Sequence, residues 1–381
     1  MISAKDVLKA GRNNAHDRWN GAEGGAAERM AARMVVPMGR QSFRAKPGDT
    51  FFAIGSCFAR NVEERLELAG ARVTSRNIAV RDLGNASARE GGVFNKYTPV
   101  SILQELQWAA GEADYPETAL LPVGGGEVYD PYLSGKAGRG SVAELMARRA
   151  EVGRYFAQAF EADVVVLTLG LVESWIDRET GLALNETPAP TLLAREGKRF
   201  GFEVLSLERC EAAVADSVAL LRRHGKRGQK IVLTVSPVPL GRTFTDMDVI
   251  VANTMAKSTL RVAAHRLSDR IEGLDYFPSY EAVMHSDPNL CWQRDRRHVS
   301  DVIVGRIIET FLNRYGVTEE APQDFSDALS ALDSDPTFQK WSEMAGDETA
   351  LIARLNQEVN KYKNMVIKLQ GELKKARLGD T

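Results

Sequence analysis

Two short stretches of this sequence combine residue types that do acyl chemistry. Gly55-Ser56-Cys57-Phe58-Ala59 follows the apolar run Thr50–Ile54 and leads straight into a helical pattern. A glycine at a strand end permits a sharp turn and presents the next side chains at a helix N-terminus. There the dipole and free backbone N–H groups favour an anion, including the oxyanion of acyl transfer. Far along the chain, Asp295-Arg296-Arg297-His298 precedes Val299-Ser300 at the opening of another helix. The Asp-x-x-His spacing lets the carboxylate fold back on one ring nitrogen and leaves the other free as a general base. Of the five histidines, His298 is the one beside a carboxylate at a loop-to-helix junction, with His285 in reserve and His16, His224 and His265 in helical or unpatterned contexts. A structural role suits the first stretch too: Ser56 as an N-cap and Cys57 as a small buried hydrophobe.

Those side chains need elements that hold them together. Five runs read as buried strands: Thr50–Ile54, Ala71–Ser75, Asp163–Leu169, Lys230–Ser236 and Gly273–Phe277. The third and fourth are solidly apolar, as parallel strands covered on both faces should be. Helical patterns over Asn61–Ala69, Val100–Ala110, Val142–Phe160, Leu207–Arg223, Ala252–Leu267 and Val299–Tyr315 separate them. The alternation predicts an α/β fold built on a doubly wound parallel sheet, with ligands at the carboxyl ends of its strands near a topological switch point. Ser236, Asn253, Lys257, Tyr276, Tyr280 and Glu281 follow the later strands. Asn253 and Lys257, four apart, share a helix face. These residues, with Trp175 as a platform for a sugar ring, are candidates to line a pocket for a polyhydroxylated substrate.

The segments FFAIGSCFARNVEERLELAG, FNKYTPVSI, VVVLTLGLVESW, TVSPVPL, VANTMAKSTLR, YFPSYE and DRRHVS stand in that order over roughly residues 50–313. Together they resemble the GSCFA family, similar in turn to the SGNH/GDSL-like hydrolases. The resemblance implies a flavodoxin-like sheet, a nucleophile after the first strand, and a late Asp-x-x-His supplying the other two members of a triad. The superfamily's Gly-Asp-Ser places its serine two residues after the glycine, where Cys57 stands here. Ser56 has the hydroxyl that suits an Asp–His pair but stands one place early. Ser56 is slightly favoured, with Cys57 kept nearly level; a thiol beside His298 would be lowered in pKa and competent. The superfamily's Gly-x-Asn-Asp block is replaced by Gly170-Leu171-Val172-Glu173-Ser174-Trp175, which lacks the asparagine. An ionised Glu173 cannot donate a hydrogen bond, so it is expected to hold substrate instead. Asn95, with Gly92 or another backbone N–H such as that of Gly170, is the expected oxyanion donor. Asn95 as a turn cap before Thr98-Pro99 is the structural alternative.

The chain divides into a lead-in over residues 1–48, the α/β domain over 49–315, a polar linker over 316–348 and a charged helix over 349–381. In the helix, Ile352, Leu355, Val359, Tyr362, Val366, Leu369, Leu373 and Ala376 follow a 3-4-3-4-3-4-3 spacing. That heptad seam predicts a C-terminal coiled coil, hence a homo-oligomer or docking to a partner helix. Composition narrows the partners further. Lys plus Arg number 49 against 51 Asp plus Glu, which gives no net field for gathering nucleic acid or anionic lipid. Cys57, Cys210 and Cys291 form no CxxC pair, so neither a disulfide framework nor a metal or other cofactor is expected. The first thirty residues lack a signal-peptide core, and no apolar run approaches the roughly 20 residues of a membrane span, so a cytoplasmic protein is expected. The resemblance implies an SGNH-type ester hydrolase or O-acyltransferase acting on a carbohydrate, a polysaccharide or its precursor. The alternative is a catalytically altered glycan- or protein-binding module oligomerised by its tail.

Overall fold

The computed structural model describes residues 2–20, 25–31, 33–46, 48–78, 80, 92–133 and 137–316. The chain divides into units at 1–321 and 322–381, and the expected coiled coil and almost all of the linker lie outside the described residues. The strands are β1 (Thr50–Gly55), β2 (Arg72–Val73), β3 (Leu121–Gly124), β4 (Glu127–Tyr129), β5 (Arg139–Gly140), β6 (Val164–Leu169), β7 (Glu173–Asp177), β8 (Leu182–Leu184), β9 (Phe200–Val204), β10 (Lys230–Val235) and β11 (Leu274–Tyr276). The helices are α1 (Ala4–Arg12), α2 (Ala26–Ala31), α3 (Cys57–Leu68), α4 (Pro99–Ala110), α5 (Val142–Glu161), α6 (Pro190–Glu196), α7 (Leu207–His224), α8 (Val249–Arg270), α9 (Ser279–Met284), α10 (Pro288–Cys291) and α11 (Asp301–Tyr315).

The central sheet is five-stranded and wholly parallel, in the order β11-β10-β6-β1-β2. Counted along the chain within that sheet, the order is 2-1-3-4-5, the flavodoxin-like arrangement, and its switch point lies between β1 and β6. All five predicted strands are present, and each is trimmed or extended by only one or two residues at an end. Every residue of β1 and β6 is buried, because helices cover both faces. Alternate side chains go to opposite sides. Phe52, Ile54, Val165, Leu167 and Leu169 enter one core with α4, α5, α7 and α8. Phe51, Ala53, Val164 and Val166 enter the other with α3, α9 and α11. Each fully buried aliphatic or aromatic side chain contributes about 1.5–3 kcal/mol, so these short apolar runs fix the register strongly.

Two antiparallel three-stranded sheets, β3-β4-β5 and β8-β7-β9, were not foreseen. Their strands are short, and most are only partly buried, so the sequence carries little period-2 signal for them. The later part of the lead-in packs on the domain. The Ala45 N–H donates to Tyr315 O at 2.6 Å, Ser42 N–H to the Asp275 carboxylate, and Val35 N–H to Ser286 Oγ at 2.9 Å. Phe43 stacks on Tyr315 with centroids 4.7 Å apart. No helix among the described residues is long and apolar enough to cross a membrane.

Candidate active site

The switch point is where the Gly-Ser-Cys turn sits. Gly55 ends β1 at φ +146°, and a Cβ there would fall inside the contact shell of Thr168 O on neighbouring β6, so only glycine lets the two strands close up. Ser56 takes the N-cap of α3: its Oγ accepts from Phe58 N–H at 3.4 Å, and the residue is 3% exposed. Cys57 opens the helix and is only partly buried. Burial pushes its thiol above the ordinary range, while the positive charges of Arg60, Arg297 and Lys257 pull it back.

Three further elements converge on this turn. The loop before α4 is stitched to β1 by Lys96 N–H donating to Gly55 O at 2.7 Å. It carries Asn95, whose backbone N–H donates to Gly92 O at 3.0 Å and whose Nδ2 donates to Tyr97 OH at 3.3 Å. Thr98, not Asn95, caps α4, through a capping box with Ser101. A Cβ on Gly92 would press on the Asn95 amide, so that glycine leaves the amide its room. Burial raises the Tyr97 phenol, the Asn95 hydrogen bond opposes this, and the Cys57 sulfur adds to the rise.

Gly170, just past β6, lies against both neighbours. A Cβ there would stand 2.7 Å from Tyr97 O and 3.2 Å from Ser56 Cβ. From behind, α8 sends in Lys257. Its Nζ donates to Gly170 O at 2.7 Å and Val238 O at 2.8 Å, with the side chain 0% exposed. Burial drags its ammonium down to about 7, opposed by Cys57. Lys257 therefore ties together the loops that follow β6 and β10. Asn253 and Ser236 reinforce the second loop: Leu240 N–H donates to Asn253 Oδ1 at 3.0 Å and Val238 N–H to Ser236 Oγ at 3.3 Å.

The Asp-x-x-His loop folds as its spacing requires. Asp295 Oδ2 meets His298 Nδ1 at 2.5 Å, while Asp295 Oδ1 accepts from the backbone N–H groups of Arg297 at 3.0 Å and His298 at 2.9 Å. The slight burial of Asp295 works against ionisation, but the hydrogen bonds from His298 and Arg297 outweigh it and hold the carboxyl at about 2. Arg296 adopts φ 52° to make the turn. Both dyad side chains are exposed, and among the described residues no hydrogen bond joins the His298 ring to Ser56 or Cys57. Arg297 is the residue of this loop whose charge reaches Cys57, and its guanidinium lies close over Gly241.

The sequence model of the GSCFA family matches residues 50–311. The chain belongs to the GSCFA family. No curated protein and no solved structure matches it significantly. The matched span begins at β1 and ends within α11, so it holds the whole central sheet of the GSCFA domain together with both motifs.

Four of the expected substrate contacts also have partners within this GSCFA domain. Glu173 accepts from Thr243 Oγ1 at 2.6 Å and Phe244 N–H at 2.9 Å, so it clamps the loop after β10. Trp175 packs edge-on against Phe202 and Phe244 at 5.4 and 5.3 Å. Glu281 accepts from Arg261 Nε at 2.5 Å and Tyr276 OH at 2.7 Å. Tyr280 packs half-buried against the core. Inspection of the sequence missed Arg60, Tyr97 and Arg297 beside Cys57. It also missed the network that anchors their loop, in which Lys96 Nζ donates to Glu105 Oε2 at 2.5 Å and Tyr132 O at 2.6 Å. Arg149 then links Glu105, at 2.8 and 3.1 Å, to Asp130. A usable signal existed for Lys257: it is in helical phase with Leu260 and Ala264, positions that face the core.

Proposed function

We propose that this GSCFA domain is an acyl-transfer enzyme of the SGNH-like kind, an esterase or O-acyltransferase acting on a carbohydrate or polysaccharide precursor in the cytoplasm. Cys57 is its nucleophile, His298 its proton relay and Asp295 the carboxylate that orients the imidazole. The observation that carries the choice of nucleophile is the division of labour at the head of α3. Ser56 is buried with its Oγ accepting the capping bond, while the less buried Cys57 stands at the first helical position among Arg60, Arg297 and Lys257. Burial raises this thiol, but the helix N-terminus and the neighbouring cations oppose that rise and favour the thiolate, which is the nucleophilic form.

In this mechanism His298 Nε2 takes the thiol proton and Sγ attacks the acyl carbonyl. The Gly170 N–H and the Asn95 amide, with Gly92 alongside, hold the oxyanion. The leaving oxygen takes the proton from His298 as its bond to the acyl carbon breaks; water or a sugar hydroxyl then attacks the thioester, giving its proton to His298, and the released Sγ takes that proton back. The loop carrying the dyad must close on Cys57 for the first step. Catalytic contacts are often loose without substrate, and a dyad half in solvent has room to move. The carbohydrate assignment rests on the family resemblance, and the partly exposed rings of Trp175 and Phe244 offer a surface for it. The open dyad also supports a second reading, a catalytically altered glycan- or protein-binding module.

Hydrolysis of a short-chain aryl ester separates these readings. Cys57→Ala and His298→Ala are expected to abolish turnover, while Ser56→Ala keeps it and loses about 1 kcal/mol of stability with its cap. Turnover that survives Cys57→Ala but not Ser56→Ala would return the nucleophile to the serine. Turnover indifferent to His298→Ala would leave the binding module.

A further inference from the structure

We propose that the site takes an anionic carbohydrate, and that Arg297 is the residue that binds its carboxylate or phosphate group beside the ester. This names the substrate class of the acyl-transfer site and rests on that reading. Arg297 immediately precedes His298 and is exposed. Asp295, the carboxylate of its loop, is spent on the His298 ring and on the backbone N–H groups of Arg297 and His298. Arg296 donates to Pro288 O at 3.3 Å and Asn289 Oδ1 at 3.1 Å. The Arg297 guanidinium makes no hydrogen bond or ion pair among the described residues. It lies instead across the backbone of Gly241, where a Cβ would stand 2.7 Å from one of its nitrogens and 2.8 Å from its central carbon.

The packing of the loops fixes where that puts the charge. Lys257 Nζ holds Gly170 O and Val238 O together, and a Cβ on Gly170 would stand 3.2 Å from Ser56 Cβ. The loop that runs from Val238 to Gly241 therefore borders the Gly-Ser-Cys turn. Across the turn, Arg60 stands three residues after Cys57 on the same face of α3. Its guanidinium carbon is 3.4 Å from the place of a Gly92 Cβ, beside the Asn95 amide. The carboxylates of the neighbouring loops are committed: Glu173 accepts from Thr243 and Phe244, and Asp248 caps α8 at Ile250 N–H. A chain of net charge -2 thus gathers positive charge around one turn. Guanidinium groups match carboxylate and phosphate oxygens two at a time. Three residues past Gly241, Phe244 packs on Trp175 at 5.3 Å. Aromatic rings for the face of a sugar and a guanidinium for its acid group select an acidic sugar over a neutral one.

Alkylation of Cys57 reads this site without turnover. The full-length protein is treated with iodoacetate, an anion, or with iodoacetamide, which is neutral. Modification of Cys57 is followed by peptide mass spectrometry apart from the buried Cys210 and Cys291. The ratio of the two rates cancels the protonation state of the thiol and leaves its preference for a negatively charged reagent. In wild type the ratio is expected to exceed that of N-acetylcysteine amide about fivefold, the scale of one solvent-exposed charge pair. Arg297→Gln should remove most of that excess, and Arg297→Lys should keep part of it. Equal ratios in wild type and Arg297→Gln overturn the proposal. So does a wild-type ratio no higher than that of the free thiol, a comparison that needs no variant. Protection of Cys57 from iodoacetamide separates the sources of the anion: protection by glucuronate marks a carboxylate and protection by glucose-6-phosphate a phosphate. If neither protects better than glucose, the acidic-sugar assignment falls. The ratios are read whether or not esters are turned over, so failure of the acyl-transfer reading and failure of this one are distinguishable.

Discussion

Lys96→Met tests how the loop beside the nucleophile is held. Lys96, Glu105, Arg149 and Asp130 form a buried group of two cations and two anions, with Lys96 and Glu105 each 1% exposed. Burial pulls the Lys96 ammonium below its ordinary range and Glu105 opposes that pull. Removing Lys96 leaves two buried carboxylates facing Arg149 alone and takes the donor from Tyr132 O. Breaking a buried pair from one side costs about 3–5 kcal/mol, and at about 2 °C per kcal/mol for a domain of this size Tm should fall by about 6–10 °C. Lys96→Met/Glu105→Gln restores one cation to one anion, and the amide oxygen still accepts from Arg149. The double variant should therefore recover at least about 1 kcal/mol relative to the sum of the two single changes, a coupling within the usual range for contacting residues. Differential scanning calorimetry on the four proteins measures the cycle. Strict additivity would falsify the charge-balance reasoning and leave packing as the network's contribution. Ester turnover should fall in the single variant as well, because the Lys96 side chain anchors the Asn95 loop that reaches the nucleophile turn.

Asp295→Asn should lower turnover by about 10²–10⁴-fold, since His298 loses the carboxylate that orients it. The Asp295 carboxyl is depressed to about 2 from 3.8, so its contribution to stability is present above 3.8 and disappears as pH falls through 2. In acid melts, wild type and Asp295→Asn should differ above that window and converge below it. Glu173→Ala releases Thr243 and Phe244 and should speed protease cleavage in the 241–248 loop, with far-UV circular dichroism unchanged. Deleting residues 349–381 should convert dimers or trimers to monomers by light scattering, and an unchanged mass would remove the heptad seam as the cause of assembly.

Much of the fold was legible because a doubly wound sheet writes itself locally. Runs such as VVVLTL must be buried on both faces, and amphipathic helices between them leave few topologies. The family, the turn after β1 and the Asp-x-x-His pair were readable for the same reason. Each is a contiguous segment whose geometry depends on neighbours a few residues away, as the Asp295–His298 bond illustrates.

Long-range placement was not. Ser56 and Cys57 are adjacent, and nothing in their order says which keeps its side chain for the cap; the close packing of Gly170 against Ser56, and the charges around Cys57, decided that. Glu173 and Glu281 looked available for substrate because sequence shows a carboxylate but not its hydrogen-bond partners, here Thr243, Phe244, Arg261 and Tyr276. Lys96 looks like a solvated lysine in a string of letters, and Lys257 like one that lines a pocket. Only the closing of α8 and the α4 loop against the strand ends takes them out of water, and burial gives each charge its consequence for the site.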